Sequence, residues 1–262
     1  MDPSLNMDLR GKKALLCGAS KGIGFATAQV LASMGAELVL VARDEALLRQ
    51  VASDLPGKPQ IWVQDLSHSE SLRSGIANLL KQHGDFSILL NNTGGPKGGP
   101  LLAADVSELT SAFQAHVVSA HILTQALVPG MRRLKFGRIL NVLSTSVKTP
   151  LAGLGVSNTI RAAMANWAKT MSLELGPYGI TVNNILPGYT ATDRLSSLKK
   201  ASAERQGKTI DDIEEAWLDT IPAGRFAEPS ELASAIAFLA SPAAAYINGI
   251  NLPVDGGRTA SL

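Results

Sequence analysis

Short apolar runs alternate with longer stretches in which apolar residues recur at helical spacing. The length of the short runs and the turn residues that bound them predict buried β-strands. We assign seven strands: KALLCG (13–18), AELVLVAR (36–43), PQIWVQDL (59–66), FSILLNNTG (86–94), GRILNVLS (137–144), ITVNNILPG (180–188) and GINLPVDGG (249–257). The stretches between them predict helices, one of which ends near Met34 and another of which covers 108–131.

Strands that alternate with helices in this way are typical of an α/β fold. We expect residues 1–262 to form a single doubly wound Rossmann domain, with a mainly parallel seven-stranded sheet and helices on both faces. Ligands of such sheets bind beyond the carboxyl ends of the strands. The residues that directly follow each strand are therefore the candidates for chemistry.

A long polar insertion, 191–226, interrupts the rhythm of strands and helices after the sixth strand. It lies where the ligand end of the sheet is expected, so we interpret it as a helical lid over a substrate. The alternative is a peripheral surface excursion without a role in binding.

Composition excludes several classes of function. Hydrophobic residues make up 45% of the 262 positions and charged residues 18%, which is enough for a large buried core. The net charge is only +2, and lysine and arginine are scattered, so we expect no nucleic-acid partner. The polar start of the chain and the lack of an apolar run of roughly 20 residues predict a cytoplasmic protein without a membrane segment.

Cysteine and histidine usage gives no sign of a metal centre. Cys17 is the one cysteine, which excludes an intrachain disulfide and a cysteine-rich metal site. His68, His83 and His121 have no partners at metal-ligand spacing. We therefore expect no metal ion.

A glycine-rich turn, CGASKGIG (17–24), joins the first strand to the first helix. Gly18, Gly22 and Gly24 allow a tight turn and a close approach of the backbone to a pyrophosphate, which the amides and dipole of the helix start would hold. The strand–turn–helix context makes this a strong prediction of a dinucleotide site. The turn also supplies three further candidate contacts: Ser20, Lys21 and Ile23.

The end of the second strand bears on which dinucleotide is bound. An NAD site usually has an acid there, whereas this chain has Ala42 and Arg43. With Lys21 in the glycine turn, two cations are available for a 2′-phosphate, which favours NADP over NAD. Asp44 follows directly and weakens that preference, and the alternative is that both cations are ordinary solvated charges.

These features, with the motifs that follow, resemble the short-chain dehydrogenase/reductase family from about Leu9 to Gly257. NNTG (91–94) is similar to the family's NNAG, and PGYTAT (187–192) to its nicotinamide loop. GRFAEPSELASAIAFLAS and INGINLPVDGG match its C-terminal region. The general resemblance is to 3-oxoacyl-[acyl-carrier-protein] reductases. It implies an oxidoreductase acting on a small carbonyl, alcohol or acyl thioester, assembled as a homotetramer or homodimer.

The resemblance also assigns cofactor contacts beyond the glycine turn. Asp65 corresponds to the family's adenine-binding aspartate, and Thr192 to the residue that meets the nicotinamide carboxamide or the phosphates. The other implied contacts are Leu66, Asn92, Gly94, Arg161, Pro187, Gly188 and Thr190.

The catalytic positions depart from the family pattern of serine, tyrosine, lysine and asparagine. Ser144 matches the serine at the end of the fifth strand. Ser157 stands thirteen residues later in place of the tyrosine, and Arg161 in place of the lysine. His116 occupies the position of the asparagine.

These replacements change how a proton could be delivered to a reduced carbonyl. The hydroxyl of Ser157 is far less acidic than a phenol, whose reference pKa is about 10. Arg161 keeps the positive charge and can bind ribose hydroxyls, but it does not release a proton. His116 could titrate near neutral pH; the alternative is a structural helix histidine.

Two other residues could replace the missing acid. Tyr189 lies on the predicted nicotinamide loop, and Lys148 lies four residues after Ser144. The alternatives are a packing aromatic for Tyr189 and a solvated loop charge for Lys148.

The sequence leaves two functions open. The first is an NADP-dependent oxidoreductase with a remodelled proton-donor site, acting on a carbonyl or alcohol, for example a 3-oxoacyl thioester, or on an activated double bond. The second is a catalytically weak or inactive dinucleotide-binding sensor or scaffold. We favour the enzyme, because Arg161 keeps a charge where the ribose is expected.

Overall fold

The computed structural model describes residues 5–261, and a parallel sheet forms its centre. The strands are β1 (Lys13–Cys17), β2 (Glu37–Ala42), β3 (Gln60–Val63), β4 (Ile88–Asn91), β5 (Gly137–Val142), β6 (Ile180–Pro187) and β7 (Asn251–Val254). Their order is β3-β2-β1-β4-β5-β6-β7, and every neighbouring pair is parallel. The predicted Rossmann fold is confirmed. The strands are shorter than predicted, because the turn residues that follow them leave the sheet at its ligand edge.

Nine α-helices of the described chain connect the strands. They are α1 (Gly22–Ser33), α2 (Glu45–Asp54), α3 (Ser69–His83), α4 (Val106–Phe113), α5 (Ser119–Leu134), α6 (Gly155–Leu175), α7 (Asp193–Gln206), α8 (Ile210–Leu218) and α9 (Pro229–Ala240). The helix predicted over 108–131 is divided by a π-helical turn, Gln114–Val118. Such a turn adds one residue to the helix and is often found at functional sites.

Helices cover both faces of the sheet, as the apolar runs predicted. Along β1, Leu16 packs into the cluster beneath α1, α2 and α9, whereas Leu15 and Cys17 pack beneath α3, α5 and α6. Alternate residues of a strand point to opposite faces, so a strand buried on both sides is apolar throughout.

The strand order reverses between β1 and β4, which opens a crevice at their carboxyl ends. Such a reversal is where open α/β sheets bind their ligands. Here the two loops touch, because Asn92 after β4 donates from Nδ2 to the carbonyl of Gly18 after β1 at 3.3 Å.

A row of asparagine side chains crosses the sheet from β4 to β7. Asn91, Asn141, Asn184 and Asn251 are paired in register, and each side-chain amide donates to the next carbonyl oxygen at 2.8 Å. Asn141 and Asn184 are buried, so these bonds satisfy groups that water does not reach. The row holds the four strands in one register.

The insertion 191–226 contains α7 and α8 and lies against the ligand edge. A β-bridge pairs Thr190 with Ala227 at its two ends, and the ring of Tyr189 stacks on Trp217 of α8. The helical content agrees with the prediction; the role as a lid remains a prediction. Between residues 5 and 261, no helix is both long and apolar enough to cross a bilayer.

Removal of the central amide of the asparagine row is expected to destabilise the fold. Asn141→Ala leaves the donor of Asn91 and the acceptor of Asn184 unsatisfied in or near the core, which costs roughly 2–4 kcal/mol. Asn251→Ala is the matched control, because it leaves only one partner unsatisfied and lies on the edge strand. Urea unfolding of the cofactor-free protein measures the free energy of unfolding of both variants. Equal losses of this free energy in the two variants would contradict a cooperative row.

Candidate active site

The glycine turn has the backbone that its sequence predicted. Gly18 and Gly22 have φ of 62° and 57°, in the left-handed region that favours glycine. A Cβ on Gly24 would lie 2.1 Å from the carbonyl oxygen of Gly18, so no side chain fits there. The first turn of α1 has no side-chain cap, which leaves its amides available to an anion. These features fit the diphosphate of a dinucleotide.

The loop after β2 contains one acidic residue, Asp44, and one basic residue, Arg43. The carboxylate of Asp44 already has a hydrogen-bond partner. The carboxylate of Asp44 caps α2 by accepting from the amide of Leu47 at 3.0 Å. Arg43 is exposed beside it. Lys21 forms an ion pair with Asp193 at the start of α7, with 3.2 Å between Nζ and Oδ2. Asp44 is therefore held by the helix, and Lys21 is shared between the glycine turn and the insertion.

Asp65 and Leu66, which the family resemblance assigns to cofactor binding, lie in the loop that follows β3. Asp65 accepts from the amide and hydroxyl of Ser67 at 2.9 and 2.7 Å. Burial acts to raise the pKa of Asp65, but the hydrogen bonds from Ser67 and nearby positive charges outweigh it and lower the pKa. Its carboxylate is therefore ionised at neutral pH and fixed in place.

The loop after β4 contacts the helical histidine. Thr93 Oγ1 lies 2.5 Å from Nδ1 of His116. Thr93 was not among the residues predicted from the sequence, although its signal was present: threonine replaces the alanine of the family's NNAG while histidine replaces the asparagine. The two departures are in contact, and Gly94 adds a backbone hydrogen bond to the histidine.

His116 is uncharged at neutral pH. It is 6% exposed and lies in the π-helical turn. Burial and the positive charge of Arg161 lower the pKa of His116 to about 3, against the opposing effect of its bond to Gly94. The expectation that it titrates near neutral pH is therefore not met, because an imidazolium would lie in an apolar pocket beside a guanidinium.

Arg161 is buried and charged. It is 7% exposed, and Nη1 donates to the carbonyl of Val142, the last residue of β5, at 2.7 Å. Burial and the charge of Arg194 lower the pKa of Arg161 to about 10, which still leaves it protonated at neutral pH. With Thr93 and His116 it lines a cavity about the size of a water molecule.

The two candidate serines lie on neighbouring elements. Ser144 is partly buried in the loop after β5, and its Oγ accepts from the amide of Ser146 at 3.1 Å. This contact occupies a lone pair and leaves the hydroxyl proton available. Ser157 is buried in the first turn of α6, which packs against the turn that follows Ser144. Lys148, partly buried, ends that same turn.

Tyr189 belongs to an aromatic cluster with the insertion. Its ring stacks on Trp217 with 4.5 Å between centroids and meets Phe226 edge-on. The hydroxyl accepts from Arg258 at 3.3 Å. Burial raises the pKa of Tyr189, and Arg258 opposes this only in part. A phenol with a raised pKa is a weaker acid, so these contacts favour a packing role.

The start of α7 meets both walls of the crevice. Thr192 caps the helix, and its Cγ2 lies 3.2 Å from the point that a Cβ on Gly22 would occupy. Arg194 donates to the carbonyl of Pro96, in the loop after β4, at 2.6 Å. The segment before it is tight as well: Pro187 ends β6, a Cβ on Gly188 would approach Asp255 to 2.7 Å, and the hydroxyl of Thr190 donates to the Gly188 carbonyl.

The structure thus brings together most of the predicted site. The glycine turn contacts Asn92 and Thr192, and His116 is near Arg161 at the end of β5. Arg43 and Asp65 lie together at the neighbouring strand ends, and Tyr189 faces the insertion. Among the described residues, no cluster of three or more histidine, cysteine, aspartate or glutamate side chains could hold a metal ion.

Known proteins with the same sequence and structure pattern are oxidoreductases. The family model described as enoyl-(acyl carrier protein) reductase matches residues 18–259. The 3-oxoacyl-[acyl-carrier-protein] reductase FabG of Vibrio cholerae serotype O1 is 34% identical over 251 residues, which cover 96% of this chain and 98% of the relative.

Two solved structures share the fold at comparable identity. L-sorbose reductase from Gluconobacter frateurii, complexed with NADPH and L-sorbose, superposes with a TM-score of 0.91 at 31% identity, covering 98% of this chain and 100% of its own. YwfH, an NADPH-dependent reductase involved in bacilysin biosynthesis, gives a TM-score of 0.90 at 29% identity, with 96% and 99% covered. The family resemblance is confirmed over nearly the whole chain. The protein is an oxidoreductase of the short-chain dehydrogenase/reductase family, similar to the 3-oxoacyl-[acyl-carrier-protein] reductases.

Proposed function

We propose that the protein is an NADPH-dependent reductase of carbonyl compounds that stabilises the developing oxyanion by fixed charge and hydrogen bonds instead of by a tyrosine acid. The observation that carries the proposal is the buried guanidinium of Arg161, which donates to the carbonyl of Val142, two positions before Ser144 in the chain. A fixed positive charge in a water-poor site is an effective stabiliser of an oxyanion.

The cofactor preference rests on the loop after β2. Asp44 is held by α2, so the nearest free charge at the end of β2 is the exposed Arg43. A guanidinium suits a 2′-phosphate, and Lys21 in the glycine turn adds a second cation. Two structural relatives are described with NADPH, which agrees with this preference.

The residues of this chain have to hold the oxygen that becomes negative, while the bound cofactor supplies the hydride. Ser144 accepts from the amide of Ser146, so its own proton can be donated to the substrate oxygen. Arg161 supplies charge without titrating near neutral pH, and His116 is neutral. Ser157 is too weak an acid to act as the missing tyrosine does. The final proton therefore comes from solvent.

This arrangement favours a conjugated carbonyl as the substrate. Reduction of an isolated ketone produces an alkoxide, which is strongly basic and needs a proton donor. Reduction of the double bond of an enone produces an enolate, whose conjugate acid is far more acidic than an alcohol. The enolate can therefore persist against a guanidinium and a hydroxyl until solvent protonates carbon.

A 3-oxoacyl thioester remains the competing substrate, because the FabG relatives are named for it. The alternative of a sensor or scaffold predicts tight binding of NADPH without turnover of any carbonyl, alcohol or enone. Assembly as a homotetramer or homodimer and a location in the cytoplasm remain predictions.

Turnover of matched substrates tests the proposal. We expect the native protein to oxidise NADPH faster with an enone than with the saturated ketone of the same skeleton, and faster with a crotonyl than with an acetoacetyl thioester. Ser144→Ala should lower kcat on the order of 10²- to 10³-fold, because it removes an oxyanion donor. Ser157→Ala, the matched hydroxyl deletion, should leave kcat within the same order of magnitude. No turnover with any of these substrates would refute the enzyme and favour the sensor.

Removal of the cation after β2 should change the affinity for NADPH but not the affinity for NADH. Arg43→Gln is expected to weaken NADPH binding by about 10- to 100-fold, which is the contribution of one charged hydrogen bond. The affinity for NADH should not change. Arg132→Gln is the control. Arg132 lies in the last turn of α5, at the amino ends of the strands and therefore away from the cofactor. Quenching of tryptophan fluorescence measures both affinities. An equal loss of affinity for NADPH and for NADH would mean that Arg43 does not contact a 2′-phosphate.

The pH profile of kcat/KM should show no limb from the titration of a histidine. Because the pKa of His116 is lowered to about 3, the ring is protonated only as the pH falls towards that value and stays neutral between about pH 5 and 8. We expect kcat/KM to be free of a limb at the ordinary histidine pKa of about 6.5. A limb that is present in the native protein, absent in His116→Gln and retained in His68→Gln would show that His116 is the acid after all.

A further inference from the structure

Two arginines of the crevice, Arg161 and Arg194, have no carboxylate partner among the described residues. The ion pairs formed within residues 5–261 include neither Arg161 nor Arg194. Each donates to a backbone carbonyl instead, that of Val142 and that of Pro96. A carbonyl orients a guanidinium but does not neutralise it, and each of these bonds uses one of its five donors.

The two guanidinium groups lie close enough to repel each other. Arg194 reaches over the loop after β4, where its Nη2 lies 3.2 Å from the point that a Cβ on Gly95 would occupy. Arg161 lines a small cavity together with Thr93, which belongs to the same loop, and His116. The charge of Arg194 adds to burial in lowering the pKa of Arg161. Two cations without an anion, one of them buried, are an unfavourable arrangement that a bound anion would relieve.

Arg194 is placed to receive a ligand from solution. Its side chain remains accessible to solvent, unlike that of Arg161. It lies in the first turn of α7, at the mouth of the crevice. Thr192, which caps the same helix, meets the glycine turn at Gly22. The fork of a guanidinium matches the two oxygens of a carboxylate.

We propose that the substrate carries a carboxylate and that Arg194 binds it, with Arg161 facing the reacting end of the same molecule. This inference rests on the proposed function, which it narrows from carbonyl compounds to oxo acids and their unsaturated relatives. Arg194 then selects the substrate, and Arg161 serves the oxyanion.

The cofactor's diphosphate is the other source of an anion. The structure gives it a separate place, at the uncapped start of α1 beside Lys21. Within the first turn of α7, Asp193 turns towards Lys21, whereas Arg194 turns towards Pro96. Arg194 is therefore held by the loop after β4 and not by the glycine turn that would bind the diphosphate.

Equilibrium binding of small acids to the protein saturated with NADP⁺ tests the proposal without requiring turnover. The probes are pyruvate and levulinate, each compared by calorimetry with its methyl ester. We expect at least one acid to bind about 10- to 100-fold more tightly than its ester. Arg194→Gln should abolish the difference, Arg194→Lys should keep part of it, and Arg132→Gln should keep all of it. The affinity for NADP⁺ should be the same in all four proteins.

Two binding results would overturn the carboxylate site. The first is equal or undetectable binding of acids and esters by the native protein. The second is a loss of NADP⁺ affinity in Arg194→Gln that accounts for the whole effect, which assigns the arginine to the diphosphate. Failure of the proposed function looks different: acids bind through Arg194, yet no oxo acid, ester or enone oxidises NADPH. If neutral esters turn over as fast as the acids, the reductase stands and the carboxylate site falls.

Discussion

The register of the parallel sheet decides where each candidate group of the active site lies. Asparagine side chains on β4, β5, β6 and β7 bond to one another across the sheet at 2.8 Å. A slip of one strand by a residue would break these bonds and turn its buried side chains to the wrong face. Because the strand ends are aligned, Thr93, Ser144 and Gly188 follow their strands at the same edge.

Burial then limits the chemistry available at that edge. Arg161 keeps its charge with a pKa of about 10, while the same surroundings hold the pKa of His116 near 3. Both values have one cause: a weakly solvated pocket tolerates one cation and disfavours a second beside it. The departures at these positions, together with Thr93, therefore form one connected change. On the proposed mechanism, fixed charge and hydroxyl donors replace the titrating acid of the family pattern.

Much of the fold could be predicted because its signals are local. Strands buried on both faces are apolar runs, and the glycine turn needs left-handed φ at Gly18 and Gly22, which the residue type reveals. The division of the helix over 108–131 had no such signal, because the residues on either side of the π-helical turn keep a helical pattern. Tyr189 was equally undecided, since a tyrosine that packs and one that donates a proton look the same in a sequence.

The sequence by itself determined the α/β fold class with its parallel sheet, the dinucleotide turn and the absence of tyrosine and lysine at positions 157 and 161, since these depend on residue identity and spacing. Only the tertiary structure decided the state of the groups that remain. Whether His116 is charged, whether Asp44 is free and whether Arg161 and Arg194 share a crevice depend on burial and on partners distant along the chain. Solvation and Coulomb energies are functions of three-dimensional position, so no local pattern encodes them.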